Sequence, residues 1–310
     1  PHGPIWDWND LSAFNQIMQE VGELGKKYKC YSCIIDPCIT ENDSDVIKYL
    51  NESGLVFKKN AEELQTIQAR NNYMLFLNGR NEEEIFASFH KKWRYNIRLS
   101  ERRGVVCKVC GKESLDDFHG LMAETGKRDG FAIRSKEYFE SMLDSLGENC
   151  RLYMCYSQEG IPLSGAVTSQ YAGKTCYIYG ASSNENRNLM ANHFMQWNMI
   201  QWAIQNNCEL YDFQGIPFYT DETHPNYGVY RFKKGFNGEV VTYAGEFHKI
   251  YKPVINKIVK IFLKLRWFKN DLYRRILLLA SKKKEKSVKQ AKELNTSSNK
   301  NQKATENKDN

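Results

Sequence analysis

The run from Tyr177 to Glu239 constrains this chain more than any other part of it. It reads YIYGASSNENRNLMANHFMQWNMIQWAIQNNCELYDFQGI, then a loop, then YGVYRFKKGFNGE. In physical terms this is a strand, a polar turn, a long helix and a second strand ending in Gly215. The segment after it predicts a basic-aromatic loop. Lys233 and Lys234 lie between Phe232 and Phe236 and are bracketed by Gly228, Gly235 and Gly238. Glycines let backbone N–H groups approach an anion, lysines supply charge, and rings supply faces to stack on. Such a loop suits a phosphorylated or nucleic-acid-derived substrate better than a simple core.

The remainder reads as two α/β units. In the first, helices are predicted over 11–27 and 43–53, with strands near Ser32–Asp36, Leu55–Lys58 and Asn72–Leu77. A charged helix over about 82–103 acts as connector and stops at Gly104. The second unit begins with a strand (Val105–Val109) and two helices (about 114–126 and 136–146). Three strands follow (Arg151–Ser157, Leu163–Tyr171, Thr175–Tyr179), joined by turn-forming QEG at 158–160 and AGK at 172–174. Then come helix 188–206, strand Glu209–Phe213 and a last strand near Val240–Tyr243. Met190, Phe194, Trp197, Ile200 and Ile204 have core spacing on the long helix, with His193 and Gln196 on other faces.

Charge is unevenly spread. Lys249–Asn310 holds 18 Lys and Arg against 5 Asp and Glu, a net +13 within a total of +7, which leaves −6 on residues 1–248. Residues 253–280 are helical by pattern, with Pro253 suited to a first turn and Ile255, Ile258, Val259, Phe262, Leu265 and Ile276 on or near one face. Residues 281–310 contain almost nothing apolar to bury and are expected to be disordered. No stretch reaches the roughly 18 apolar residues of a membrane span, and no signal peptide is visible. Nine cysteines, an odd number in a chain large enough to need no disulfide framework, suggest reduced thiols and a cytoplasmic setting. Cys30/Cys33 and Cys107/Cys110 have local zinc-ligand spacing. About seventy residues separate them, far beyond a zinc ribbon's spacing, and on strands i and i+3 point to opposite faces. No metal is expected.

Three segments, RNLMANHFMQWNMIQWAI (187–204), YDFQGI (211–216) and YRFKKGFNGE (230–239), resemble the FemABX family of aminoacyl-tRNA-dependent peptidyltransferases, which build side branches on peptidoglycan precursors. A weaker match runs from about Gly3 to about Arg266. The resemblance implies an α/β (α+β) fold of two GNAT-like acyltransferase domains side by side, without a coiled-coil arm. The domain ranges are then 1–104, a first domain that lacks its own start and ends in the connecting helix, and 105–248, the second domain. A basic helix (249–280) packs on the first domain, and a disordered tail (281–310) follows.

The resemblance also distributes roles. In the family a Phe-Lys pair sits at the tRNA 3′ end, and Phe232 and Lys233 align with it: Phe232 to stack on a base, Lys233 to stabilise charge on the ester carbonyl and the leaving ribose oxygen. Lys234 adds charge to the same segment. Arg187, in the turn before the long helix, takes phosphates of the precursor. Ala191 stands where relatives often carry Pro. Tyr31 and Asp36 fall where relatives bind the precursor with an aromatic and an acid; Asp36 serves equally well as the cap of the turn before Pro37. Asp212, at a strand's carboxyl end, is either a cleft edge or a backbone anchor. Tyr227 and Tyr230 offer hydroxyls to the stem peptide, or simply pack on the sheet.

The sequence thus predicts an enzyme that transfers an amino acid from aminoacyl-tRNA to the stem peptide of a lipid-linked or nucleotide-linked peptidoglycan precursor. It needs no cofactor, is cytoplasmic, and touches the inner membrane leaflet peripherally through its basic C-terminus. Two alternatives stay open: a GNAT N-acyltransferase using an acyl-thioester, for which no convincing pyrophosphate loop is present, and a non-catalytic RNA- or membrane-binding protein.

Overall fold

The computed structural model describes residues 2–58, 68–216, 219–224 and 226–266. The expected helix beyond 266 and the tail lie outside the described residues. By compactness the chain forms two units. One takes the residues up to Ala13 together with Ile34–His248, and the other takes Phe14–Cys33 with the chain from Lys249.

The first unit is built on a seven-stranded sheet. In chain order its strands are β3 (Asn71–Phe76), β4 (Val106–Cys110), β5 (Cys150–Tyr156), β6 (Pro162–Tyr171), β7 (Lys174–Ser182), β8 (Leu210–Gly215) and β9 (Glu239–Thr242), in spatial order β4-β5-β6-β7-β8-β3-β9. Every pairing is antiparallel except β7 with β8, which α7 (Ala191–Gln205) connects as a crossover. Ala172 and Gly173, both at positive φ, close the two-residue β6–β7 hairpin. That is the backbone a tight hairpin requires and the reason for a glycine there.

Helices cover both faces. α7, α3 (Glu82–Ser88) and α4 (Lys91–Arg102) pack over one face around Ile85, Phe89, Ile97, Met195, Met199 and Tyr211. On the other face lie α5 (Leu115–Asp129) and α6 (Lys136–Leu146), centred on Phe118 against Phe139 with ring centroids 5.0 Å apart. Cys107 packs with the first layer and Cys110 with the second, so this Cys-x-x-Cys pair does point to opposite faces.

Three local expectations change. The helix expected over 82–103 is two helices. Phe89 leaves α3 in an extended conformation and is buried against Trp197 and Phe236, while His90 Nδ1 accepts the Lys92 N–H to cap α4. Burial of one phenylalanine outweighs helix continuity here. Gln196 is not on an outer face but is buried, taking the Tyr211 hydroxyl hydrogen bond at 2.8 Å. And the basic-aromatic segment is not a loop but a helix, α8 (Tyr227–Lys234). A strand absent from the sequence reading, β10 (Phe247–Ile250), pairs antiparallel with β2 (Val56–Phe57) through Phe247–Phe57 and His248–Val56.

The remaining elements are α1 (Leu11–Lys27), β1 (Ser32–Ile35) and α2 (Ser44–Glu52). In the second unit α1 buries Phe14 and Met18, and residues 253–266 are helical. No helix among the described residues is long and apolar enough to cross a membrane.

Gly238 precedes β9, where an added Cβ would run into the Met74 carbonyl and carbon of the adjacent strand. Backbone cannot move aside as a side-chain tip can. Gly238→Ala is expected to cost about 2–3 kcal/mol, read from the urea midpoint at unchanged slope.

Candidate active site

The site grows from the end of β8. Its parallel contact with β7 lasts for three residue pairs, Lys174–Leu210, Thr175–Tyr211 and Cys176–Asp212. Beyond them β7 stays with β6 up to Ser182, while β8 stays with β3 up to Gly215. The two strands therefore part just past Asp212, the kind of sheet opening where α/β proteins place ligands.

Asp212 is wholly buried at that point. Its carboxylate holds the Lys174 ammonium at 2.6 Å, the Gln214 N–H at 2.7 Å and the Asn72 amide at 3.4 Å. Burial alone would push the Lys174 pKa down, but the Asp212 charge and hydrogen bond outweigh it and the pKa is raised. The Asp212–Gln214 bond folds the strand end into a tight turn with Gln214 at φ +63°, a strained conformation for a side-chain-bearing residue. That turn aims the carbonyls of Gln214 and Gly215 at Lys233, whose Nζ donates to them at 3.2 and 2.7 Å. Lys233 is only 6% exposed. Burial lowers its pKa to about 7, the Asp212 charge opposing only part of the drop.

Lys233 reaches inward because α8 is clamped along its length. Trp93 Nε1 donates to the Phe232 carbonyl at 3.0 Å, and its ring covers Gly235, where a Cβ would strike the indole. Gly235 thus permits close packing of the indole ring and Gly238 that of the adjacent strand's backbone, whereas nothing lies against Gly228. Phe232 is half-buried, edge-on to His193 at 5.1 Å and to Phe236 at 5.5 Å. His193, bonded to the Asn96 amide at 3.2 Å, is held neutral by burial, its pKa lowered to about 4. Tyr230 packs on Tyr73, Tyr219 and Tyr227. Tyr227 donates to Glu222 at 3.1 Å. Lys234 is exposed, with its ammonium over the Tyr230 ring at 5.6 Å. Of these, Trp93, Tyr230 and Lys234 line a cleft of about 520 Å³ together with Tyr73, His90 and Arg231; Lys233 and Phe232 are not among its lining residues.

The other candidates have surroundings of their own. Asp36 is buried, pairs its backbone with Gly3, and sets its carboxylate 3.6 Å from His2 Nδ1. His2 in turn packs on Tyr243 at 4.4 Å. Burial, then the nearby Cys38 and Asp212, raise the Tyr243 pKa. Arg187 is exposed in a 3₁₀ turn (Arg187–Leu189) ahead of α7. Tyr31 belongs to the second unit, where its carbonyl accepts the N–H groups of Tyr251 and Lys252.

Sequence reasoning missed Lys174, Asn72, Trp93 and Tyr243. Lys174 reads as a hairpin-turn residue, and only the parallel pairing of β7 with β8 brings it to Asp212. For Trp93 there was a signal: an aromatic on a highly charged helix.

Removing Lys174 leaves a buried carboxylate without its cation. Lys174→Met is therefore expected to cost about 3–5 kcal/mol. The double variant Lys174→Met/Asp212→Asn should recover much of that, as a double-mutant cycle in urea would show.

The FemAB family model matches residues 1–158 and 155–264. The lipid II:glycine glycyltransferase of Staphylococcus haemolyticus is 27% identical over 83% of this chain and 78% of that protein. Its Staphylococcus aureus counterpart is 26% identical with the same coverage. Among solved structures, FemX superposes with a TM-score of 0.77 at 26% identity, over 83% of this chain and 81% of that one. The L-PGS structure from Bacillus licheniformis shares the fold at TM-score 0.50 and 14% identity, over 80% of this chain and 78% of that one. The expected mixed α/β acyltransferase architecture is the one observed, and with the family model spanning most of its length, the chain belongs to the FemAB family.

Proposed function

We propose that this protein is an aminoacyltransferase that moves an amino acid from aminoacyl-tRNA to an amine on the stem peptide of a peptidoglycan precursor, building the interpeptide bridge. The observation that carries the reading is Lys233, a buried cation held by two backbone carbonyls where β7 and β8 part. Relatives at 26–27% identity that are lipid II:glycine glycyltransferases supply the reaction class.

In the reaction the acceptor amine attacks the ester carbonyl of the charged tRNA. Negative charge builds first on the carbonyl oxygen and then on the departing ribose oxygen. The Lys233 ammonium, with little water around it, stabilises both far better than a solvated lysine would. A pKa of about 7 also lets it give a proton to the leaving oxygen near neutrality. Phe232 borders the site as a platform for the tRNA terminus, and Lys234 and Arg231 lie outward of it to meet phosphates. Asp36 and Arg187 serve the precursor, with Tyr227 and Tyr230 toward its peptide. No cofactor enters the scheme beyond the charged tRNA.

Transfer of radiolabelled amino acids from a mixed pool of charged tRNAs, offered lipid-linked and soluble precursor with and without ribonuclease, tests the reading. Ribonuclease-sensitive labelling of a precursor is expected; no label on either acceptor overturns it.

Lys233→Ala should lower turnover about 100-fold or more with folding intact by circular dichroism. In the wild type kcat/KM should fall as pH rises through about 7, where Lys233 loses its proton. That limb should vanish from the residual activity of the variant.

The same shift sets a stability sign. The folded pKa lies below the ordinary 10.5, so between the two values the unfolded chain binds more protons and stability rises with pH. The cost of burying Lys233 is full below about pH 7 and fades toward 10.5. Lys233→Met should therefore exceed wild type in urea resistance at mildly acidic pH, with the gap closing as pH rises.

A further inference from the structure

Helix 253–266 starts from a firm anchorage and then turns an apolar stripe to solvent. Just ahead of it, the N–H groups of Tyr251 and Lys252 both donate to the Tyr31 carbonyl, at 2.9 and 3.0 Å. Lys252 Nζ donates to the Lys29 carbonyl at 2.8 Å, and Tyr251 lies against Gly25 of α1. Along the helix, Val254 is 73% exposed, Ile255 45%, Ile258 60%, Ile261 53%, Phe262 63% and Leu265 63%. At 3.6 residues per turn these six side chains fall in one stripe spanning roughly a third of the circumference. Lys257, Lys260 and Lys264 stand together on the flank beside it, and the helix has no Asp or Glu.

We propose that helix 253–266 is an interfacial anchor that lies flat in the surface of an anionic lipid bilayer. The apolar stripe enters the boundary between headgroups and acyl chains, and the lysines meet lipid phosphates from the flank. The charge pattern selects this occupant over a second copy of the chain. An antiparallel pair of such stripes would bring two rows of lysines together, and in either orientation neither helix offers an acid to neutralise them. An anionic bilayer supplies the missing negative charge and the apolar phase at once. The helix lies on the bilayer rather than through it, since a span takes about 20 apolar residues. The inference does not depend on the transfer reading, because it is tested with neither tRNA nor precursor.

The full chain is sedimented with vesicles of phosphatidylcholine alone or with phosphatidylglycerol added, at low and high salt. Binding to the phosphatidylglycerol vesicles that weakens with salt is expected. Ile258→Asp/Phe262→Asp replaces two exposed side chains, so folding should survive, as circular dichroism would verify; partitioning should fall by at least tenfold. Lys257→Gln/Lys260→Gln/Lys264→Gln should lower it by about 100-fold. Absence of binding to anionic vesicles overturns the proposal. So does wild-type binding by the Asp double variant, which would assign the attraction to the basic residues beyond 266. A dimer in light scattering that the Asp variant dissolves would assign the stripe to a second copy and equally overturn it.

Discussion

A carboxylate shut away from water organises the centre of this protein. Asp212 has no exposed surface, and a lone charge in that position would be prohibitively costly. It is tolerated because a lysine from the neighbouring strand, a backbone N–H and an asparagine amide converge on it. Each of those partners belongs to a different feature: Lys174 to the start of β7, Gln214 to the turn ending β8, Asn72 to β3. Satisfying one buried charge therefore fixes the sheet at the parallel pairing of β7 with β8 and the strained turn beyond it.

The consequence reaches Lys233 through backbone. The turn at Gln214 and Gly215 presents two carbonyls, and those carbonyls hold the ammonium. The opposite wall is aromatic: Trp93, His193, Phe232 and Phe236 lock α8 so that Lys233 points into the sheet while Lys234 stays outside. Two adjacent lysines thus acquire opposite environments. The inner one has its proton affinity lowered by burial; the outer one rests on a tyrosine face in solvent. This division suits a reaction needing one cation at the reacting atoms and others along a polyanion.

Such an arrangement sacrifices stability for chemistry. A buried lysine bonded to neutral carbonyls is less favourable than an apolar side chain of similar volume, and an αL glutamine adds strain. Compensation is visible in the well-packed layers on both sheet faces, where Phe118, Phe139, Phe213 and Tyr211 have almost no exposure. The second unit follows another logic: its helix 253–266 leaves an apolar stripe exposed beside a row of lysines, a surface for a phase rather than for a pocket.

Periodicity made most of the fold legible. The β5–β6–β7 meander, both α5 and α6, and the β7–α7–β8 crossover follow from alternation, helical spacing and turn residues, all local signals. The helix break at Phe89 and the helical state of residues 227–234 did not follow, because both are decided by rings brought in from distant segments: Trp197 and Phe236 for Phe89, Trp93 for the neighbourhood of Gly235. Among site residues, Lys233 and Phe232 stood out as charge and aromatic in one short motif. Asp212 was visible only as an acid at a strand end, and Lys174 only as a turn residue. The sequence alone determined most of the order of elements, the cation-bearing segment and the family, since these depend on residues near one another in the chain. Tertiary structure alone decided which lysine is buried, which cation neutralises Asp212 and which apolar stripe stays open, because burial and charge pairing belong to neighbours in space.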